Sequence, residues 1–255
     1  MRIALDFRKS VEENASGYFE RSKKAKAKID GARKAIEDHK LKLETAREPV
    51  KKQVKKVGAG RKAEWFEKFH WFISSDGLLV IGGRDATSNE IVIKKHAGPQ
   101  DLVFHTDMAG SPFVVVKNEG GGEVPEATRE EAAQLTAVFS RGWKNGMATL
   151  PVFSARPEQV TKTPNPGESL PKGAFVIRGE LTYYSPRMEY ALGSYQEKVM
   201  GGPLQAVRKH CGKAVVIVQG SDKVSDVAKA VQKRIGGGLD EIIRKLPQNC
   251  RVRKD

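Results

Sequence analysis

From Val11 onward, apolar side chains return at alternating intervals of four and three residues. The series runs Val11, Ala15, Tyr18, Ser22, Ala25, Ile29, Ala32, Ile36, His39, Leu43, Ala46 and Val50, and only Ser22 and His39 interrupt its apolar character. That spacing keeps one stripe on one side of an α-helix and predicts a coiled-coil type seam. Ser10-Val11-Glu12-Glu13 has the form of a capping box, in which Ser and Glu side chains bond the free amides of a first turn. Pro49 stops the helix, so the rod should hold about 38 residues and extend ~57 Å. A single stripe of this kind requires a partner, either the rest of the chain, a second copy, or another protein.

Past the rod the pattern changes. Residues 51–62 carry six positive charges, no negative one and two glycines, the composition of a basic linker. Phe69–Ile73 and Leu78–Ile81 flank Ser74-Ser75-Asp76-Gly77 and predict a β-hairpin. Thr87-Ser88-Asn89-Glu90 reads as a second capping box that starts a helix. Strands are expected at 102–107, 112–117, 147–153 and 174–183. Thr128-Arg129-Glu130-Glu131 should cap a helix that buries Ala132, Leu135, Phe139 and Trp143 and ends near Gly146. A proline-rich loop follows residue 153. After Gly201-Gly202-Pro203 come a short helix through Val207, a strand at 214–218, and helices near 225–235 and 239–245. The expected class is α+β, a mixed sheet with packed helices preceded by a long helix. The organisation read from this pattern is a helix at 1–50, a linker at 51–62, an α+β domain at 63–184 and a basic extension at 185–255.

Charge sharpens the picture only when divided along the chain. The 255 residues carry a formal charge of +14, which partitions as +10 over residues 1–62, −4 over 63–197 and +8 over 198–255. A polyanion therefore meets the ends first, and the central domain can bind nucleic acid only through specific side chains. With 30% charged residues and no run of ~18 apolar ones, a membrane-spanning helix is not expected. No signal-peptide pattern follows Met1, and Cys211 and Cys250 alone form no disulfide framework, so a cytoplasmic location is expected.

Familiar catalytic signatures are missing: the sequence has no phosphate-loop lysine motif, no G-x-G-x-x-G, no H-E-x-x-H and no zinc-spaced cysteine pair. No cofactor is expected. His105-Thr106-Asp107 places two potential ligands on one face of a strand, but a hydrogen-bonded strand end explains them as well. Gly83-Arg84-Asp85 at a turn offers either an anion site or an internal Arg–Asp pair. Gly201-Gly202-Pro203 invites a weaker phosphate argument. Trp65, Phe66, Phe69, Trp71 and Phe72 present either stacking faces or core. The nucleic-acid contacts expected from charge and position are Lys51, Lys52, Lys55, Lys56, Arg61 and Lys62 in the linker, and Arg84, Lys94, Lys95, Lys144, Lys162 and Arg178 in the domain; Lys117 is a further turn lysine.

Several blocks, in order, resemble the RNA-binding (R) domain of NFACT proteins. They are Glu64–Phe72 with Asp76-Gly77, Ile81–Ala86 with Asn89-Glu90, Asp101–Asp107, Ser140–Lys144, Gln159–Lys162 and Leu170–Gly179. Ser10–Ala35 is similar to the family's coiled-coil segment and Val199–His210 to a tail of archaeal members. The resemblance implies a ribosome-associated quality-control factor that binds the large ribosomal subunit and its stalled peptidyl-tRNA and helps extend the nascent chain with alanine-type residues. The family's amino-terminal tRNA-recognition domain and helix-hairpin-helix module have no counterpart in this sequence, which implies a separate chain carrying them, or a coiled-coil partner. His70 and Ala109 stand where an arginine and a histidine are common.

Three readings result. The first is a noncatalytic module that binds large-subunit RNA or tRNA. The second is a protein-interaction scaffold working through the helical seam. The third is a metal-dependent RNA-processing enzyme using His105, Asp107 and Asp85.

Overall fold

A long helix begins at a capped first turn. In a computed structural model that describes residues 4–47, 63–164 and 169–253, with side chains of the first segment described through residue 38 except 34 and 35, helix α1 spans Val11–Arg47, 37 residues. The Glu13 amide donates to Ser10 Oγ at 3.1 Å and the Ser10 amide to a Glu13 carboxylate oxygen at 2.8 Å, the reciprocal bonds of the expected box. Residues 4–9 fold back on this start: Tyr18 Oη donates to the Ala4 carbonyl at 2.6 Å, and Asn14 Nδ2 donates to the carbonyls of Asp6 and Ser10. Along the rest of the rod Val11, Ile29 and Ile36 of the seam are exposed, as is Phe19 beside it. His39, Leu43, Ala46 and Val50 and the linker 51–62 fall outside the described side chains.

Two units divide the chain, residues 1–59 and 60–255. The second begins with a 3-10 turn at Trp65–Lys68 and the hairpin of β1 (His70–Ile73) and β2 (Leu79–Gly82), whose connecting Gly77 takes φ +89°. Helix α2 (Ala86–Ile91) continues into a wider π-turn at Val92–His96. Then follow β3 (Leu102–His105), β4 (Val114–Val116), α3 (Glu126–Val138), α4 (Arg141–Lys144), β5 (Val152–Ala155), the short pair β6 (Val160–Thr161) and β7 (Val176–Ile177), and β8 (Thr182–Tyr184). Six strands make one antiparallel sheet in the order β1-β2-β4-β3-β5-β8. Strands β9 (Tyr190–Tyr195) and β10 (Lys198–Gly202), helix α5 (Leu204–His210), β11 (Ala214–Gln219), helices α6 (Val224–Ile235) and α7 (Leu239–Lys245), and β12 (Cys250–Val252) complete the unit, with a second antiparallel sheet ordered β10-β9-β11-β12. The boundary expected at 184/185 falls where the first sheet gives way to the second, yet the buried apolar side chains of both form a single cluster from Phe69 to Cys250. The protein is α+β.

Several local expectations shift for identifiable reasons. Helix α2 is capped by Asp85, whose carboxylate accepts from the Ser88 amide at 2.7 Å while Ser88 Oγ accepts from the Asp85 amide at 2.9 Å; the box therefore lies two residues before Thr87–Glu90. Thr128 does not cap α3, which starts at Glu126 behind Pro125. Its hydroxyl instead bonds Ser74 Oγ at 2.9 Å and Asp76 at 2.7 Å, tying the helix to the β1–β2 turn. Ala132, Leu135 and Trp143 are buried as expected, but the helix breaks at Phe139 and Trp143 sits on the separate turn α4. The strand expected at 147–153 lies at Val152–Ala155, and 174–183 divides into β7 and β8. Among the described residues no helix is long and apolar enough to cross a membrane.

Candidate nucleic-acid interface

A deep recess lies between the first sheet and the chain around α7. It is a cleft of about 740 Å³, a size suited to a small organic ligand. Its charged lining consists of Arg84, Arg141, Lys144, Lys172 and Arg244 with a single acid, Asp85. Four of these five cations belong to residues 63–197, whose net charge of −4 concealed them, and Arg244 comes from the basic stretch 198–255.

Each cation is placed by a local cause. Arg84 follows Gly83, which has no room for a side chain because an added Cβ would lie 2.0 Å from Asn89 Oδ1. The Asp85 carboxylate is committed to the α2 cap, its pKa lowered chiefly by the Ser88 amide. The internal Arg84–Asp85 pair considered from sequence is therefore not the arrangement: Arg84 Nη2 instead donates at 2.7 Å to the Arg244 carbonyl, in the last turn of α7. Arg141 opens α4 behind Ser140, whose Oγ accepts from the Gly142 amide at 3.0 Å, and its side chain lies flat on Gly110, where a Cβ would meet Nε at 2.7 Å. Lys144 closes the same turn, and its carbonyl accepts from Asn249 Nδ2 at 3.2 Å. Trp143 Nε1 donates to the Gln248 carbonyl at 2.8 Å, so the C-terminal residues hold α4 from below. Lys172 precedes Gly173, which is pressed against Ala86 of α2.

Behind the cations the cleft is aromatic. The His70 ring stacks on Phe139, with centroids 3.7 Å apart and planes 22° apart, and His105 stacks on Phe113 at 4.0 Å and 23°; Phe175 meets Phe113 edge-on at 5.1 Å. Burial, with the charges of Arg84 and Lys245 adding to it, drives the His70 pKa well below the ordinary histidine value, and burial lowers that of His105. Both imidazoles are therefore neutral at pH 7, each with one donor and one acceptor nitrogen.

Of the residues expected from sequence, Arg84 and Lys144 line the cleft. Lys162 is spent elsewhere: it pairs with Glu90 at 2.6 Å and lies over the Phe175 ring at 4.5 Å. Lys94 approaches the same Glu90 at 3.9 Å, Arg178 donates to the Thr163 carbonyl at 3.4 Å, and Lys95 is exposed at the end of the π-turn. Lys117 forms an inward pair with Asp101 and donates to the His96 carbonyl at 2.8 Å. Lys51, Lys52, Lys55, Lys56, Arg61 and Lys62 lie outside the described residues. Arg141, Lys172 and Arg244 are the contributors that a count of turn cations passed over. The first two lie inside blocks already notable for their resemblance, whereas no local signal points to Arg244, which the fold brings in from 160 residues beyond Arg84.

The other candidates have packing and hydrogen-bonding roles in the fold. Gly201 and Gly202 are buried where a Cβ would strike Tyr190 Oη at 2.0 Å and Phe72 at 2.8 Å, so they permit close packing and hold no phosphate. Phe69, Trp71 and Phe72 are core, while Trp65 is 43% exposed and stacks on His96 at 4.4 Å. Thr106 Oγ1 bonds Ser111 Oγ and the Met108 carbonyl, folding the loop after His105, and no group of three or more potential metal ligands occurs among the described residues.

The cleft lies largely within a stretch that a family model recognises: residues 68–179 match the NFACT protein RNA binding domain. The archaeal Rqc2 homolog aRqcH of Methanocaldococcus jannaschii is 37% identical over 271 residues, covering 99% of this chain and 40% of that protein. The human ribosome quality control complex subunit NEMF is 33% identical over 233 residues, covering 90% of this chain and 21% of its own. The chain thus spans two fifths or less of the length of these relatives. The C-terminal part of the fibronectin/fibrinogen-binding protein from Streptococcus suis aligns at 17% identity with a TM-score of 0.40, over 70% of this chain and 76% of that one. Both positions at which the sequence departs from the common pattern, His70 and Ala109, line the cleft. With its ordered motifs, its match over the R domain and its similarity to these relatives, the chain belongs to the NFACT family.

Proposed function

We propose that this chain is a noncatalytic RNA-binding module of ribosome-associated quality control, which engages the large ribosomal subunit or tRNA and leaves bond-making to the ribosome. The observation that carries the reading is the cleft: five cations against one acid, gathered from four separate segments, four of the five from the stretch 63–197 whose net charge is −4. Guanidinium and ammonium groups so arranged suit the phosphate and sugar contacts that position a protein on RNA. The linker lysines 51, 52, 55 and 56 would add sequence-independent affinity. Relatives named for ribosome quality control support the cellular setting.

The test is co-sedimentation of the full chain with large ribosomal subunits, alongside gel shifts with tRNA. Arg84→Glu combined with Arg141→Glu should lower binding at least tenfold, whereas Lys94→Glu with Lys95→Glu, outside the cleft, should change it less than threefold. Equal losses from the two pairs would refute the cleft as the interface. The exposed apolar seam of α1 favours an additional docking role for the helix, for which binding of a protein partner would resist both nuclease and salt.

A further inference from the structure

We propose that the cleft accepts one unstacked nucleotide of single-stranded RNA, with its phosphate held at the cationic rim and its base inserted among the aromatic rings. This rests on the RNA-binding reading above and specifies what the cleft holds. A surface that only tracked backbone phosphates would need cations and no depth. Here the cations line a cleft that holds about 740 Å³ in all, ample for one nucleotide.

The chemistry of the two regions is segregated. Arg84, Arg141, Lys144 and Lys172 are exposed and carry guanidinium or ammonium groups, suiting an anion. His70 and His105 are each backed by a phenyl ring, which offers stacking surface for a base; the His105 imidazole is held by the backbone of Thr106 and Ser111, and His70 adds hydrogen-bonding nitrogens for the base edge. An acidic peptide would find the rim congenial but would leave the aromatic interior without a complement. A duplex, whose bases are stacked and paired, cannot enter. The rim is also fixed before any ligand arrives: Arg84 is tied to α7 and Arg141 is laid on Gly110, so little side-chain freedom remains to be lost on binding.

The experiment measures fluorescence anisotropy of a labelled single-stranded RNA tetranucleotide on the full chain, with AMP and ribose 5-phosphate as competitors. Ala109→Trp serves as a plug, since this exposed alanine lines the cleft and its replacement removes no charge. AMP should displace the oligonucleotide at least tenfold better than ribose 5-phosphate. The plug should weaken the oligonucleotide at least tenfold while leaving duplex RNA within threefold and the thermal midpoint unchanged. If the two competitors are equal, or if the folded plug binds single strands normally while Arg84→Glu with Arg141→Glu does not, the nucleotide pocket is overturned and the RNA-binding reading stands. If neither the plug nor the charge reversals matter, both fail. The competition arm decides the pocket on the parent protein even where the plug fails to fold.

Discussion

Lys245 shows how a single side chain carries the energetics of the interior next to the cleft. It is 7% exposed, its Nζ stands 4.4 Å from the centre of the Trp71 ring, and no hydrogen-bond partner reaches it. Burial pulls its pKa from the ordinary 10.5 down to about 7, against the attraction of Glu241 and with the repulsion of Arg84. The folded state therefore holds fewer protons than the unfolded chain between pH 7 and 10.5, and this residue makes the protein more stable as pH rises through that window; below pH 7 both states are protonated and the effect levels off. Lys245→Met removes the dependence. Denaturation of parent and variant should show their stability difference moving in the parent's favour by about 1 kcal/mol per pH unit from pH 7 to 10; a constant difference would place the proton elsewhere.

At the scale of elements, what could be read from the sequence was whatever local chemistry decides. The Ser10–Glu13 box and the seam located α1, Gly77 located the first hairpin, and the helices expected near 225–235 and 239–245 are α6 and α7. The elements that escaped are set by tertiary contacts. Thr128 has the look of a cap but spends its hydroxyl on Ser74 and Asp76, and β12 is a three-residue strand made only by pairing with β11. The β9–β10 hairpin lacked the usual glycine signal altogether. Gln196 and Glu197 form its two-residue turn at φ 46° and 63°, a left-handed geometry that asparagine and glycine adopt far more readily. Replacing them, Gln196→Asn with Glu197→Gly, should stabilise the protein by about 1 kcal/mol, read as a higher urea midpoint at unchanged slope. A lower midpoint would mean that these side chains make contacts worth more than the turn strain.

Over the whole molecule, the distribution of charge and the path of the chain together make the candidate site. The sequence placed cations at the ends and a mild excess of acid between them, and that averaging hid the cleft cations at positions 84, 141, 144 and 172, while the fifth, at 244, comes from the basic C-terminal stretch. Two of the five were legible as turn cations beside glycine or tryptophan. Arg141 and Lys172 lay inside resembling blocks without being singled out, and Arg244 became visible only when the topology brought α7 against the α2 turn. Conversely, Lys162 and Lys117 were plausible from sequence and are held by Glu90 and Asp101, because paired acids neutralise a cation wherever the fold closes the gap. The central claim is that the cleft's cations grip RNA phosphates. It is tested most directly by the salt dependence of single-stranded RNA affinity for the full chain, compared with Arg84→Ala combined with Arg141→Ala. Each phosphate contact contributes a slope of about −0.7 in log affinity against log salt, so the double variant should lose roughly 1.4 of slope along with its affinity. An unchanged slope and affinity would contradict the account.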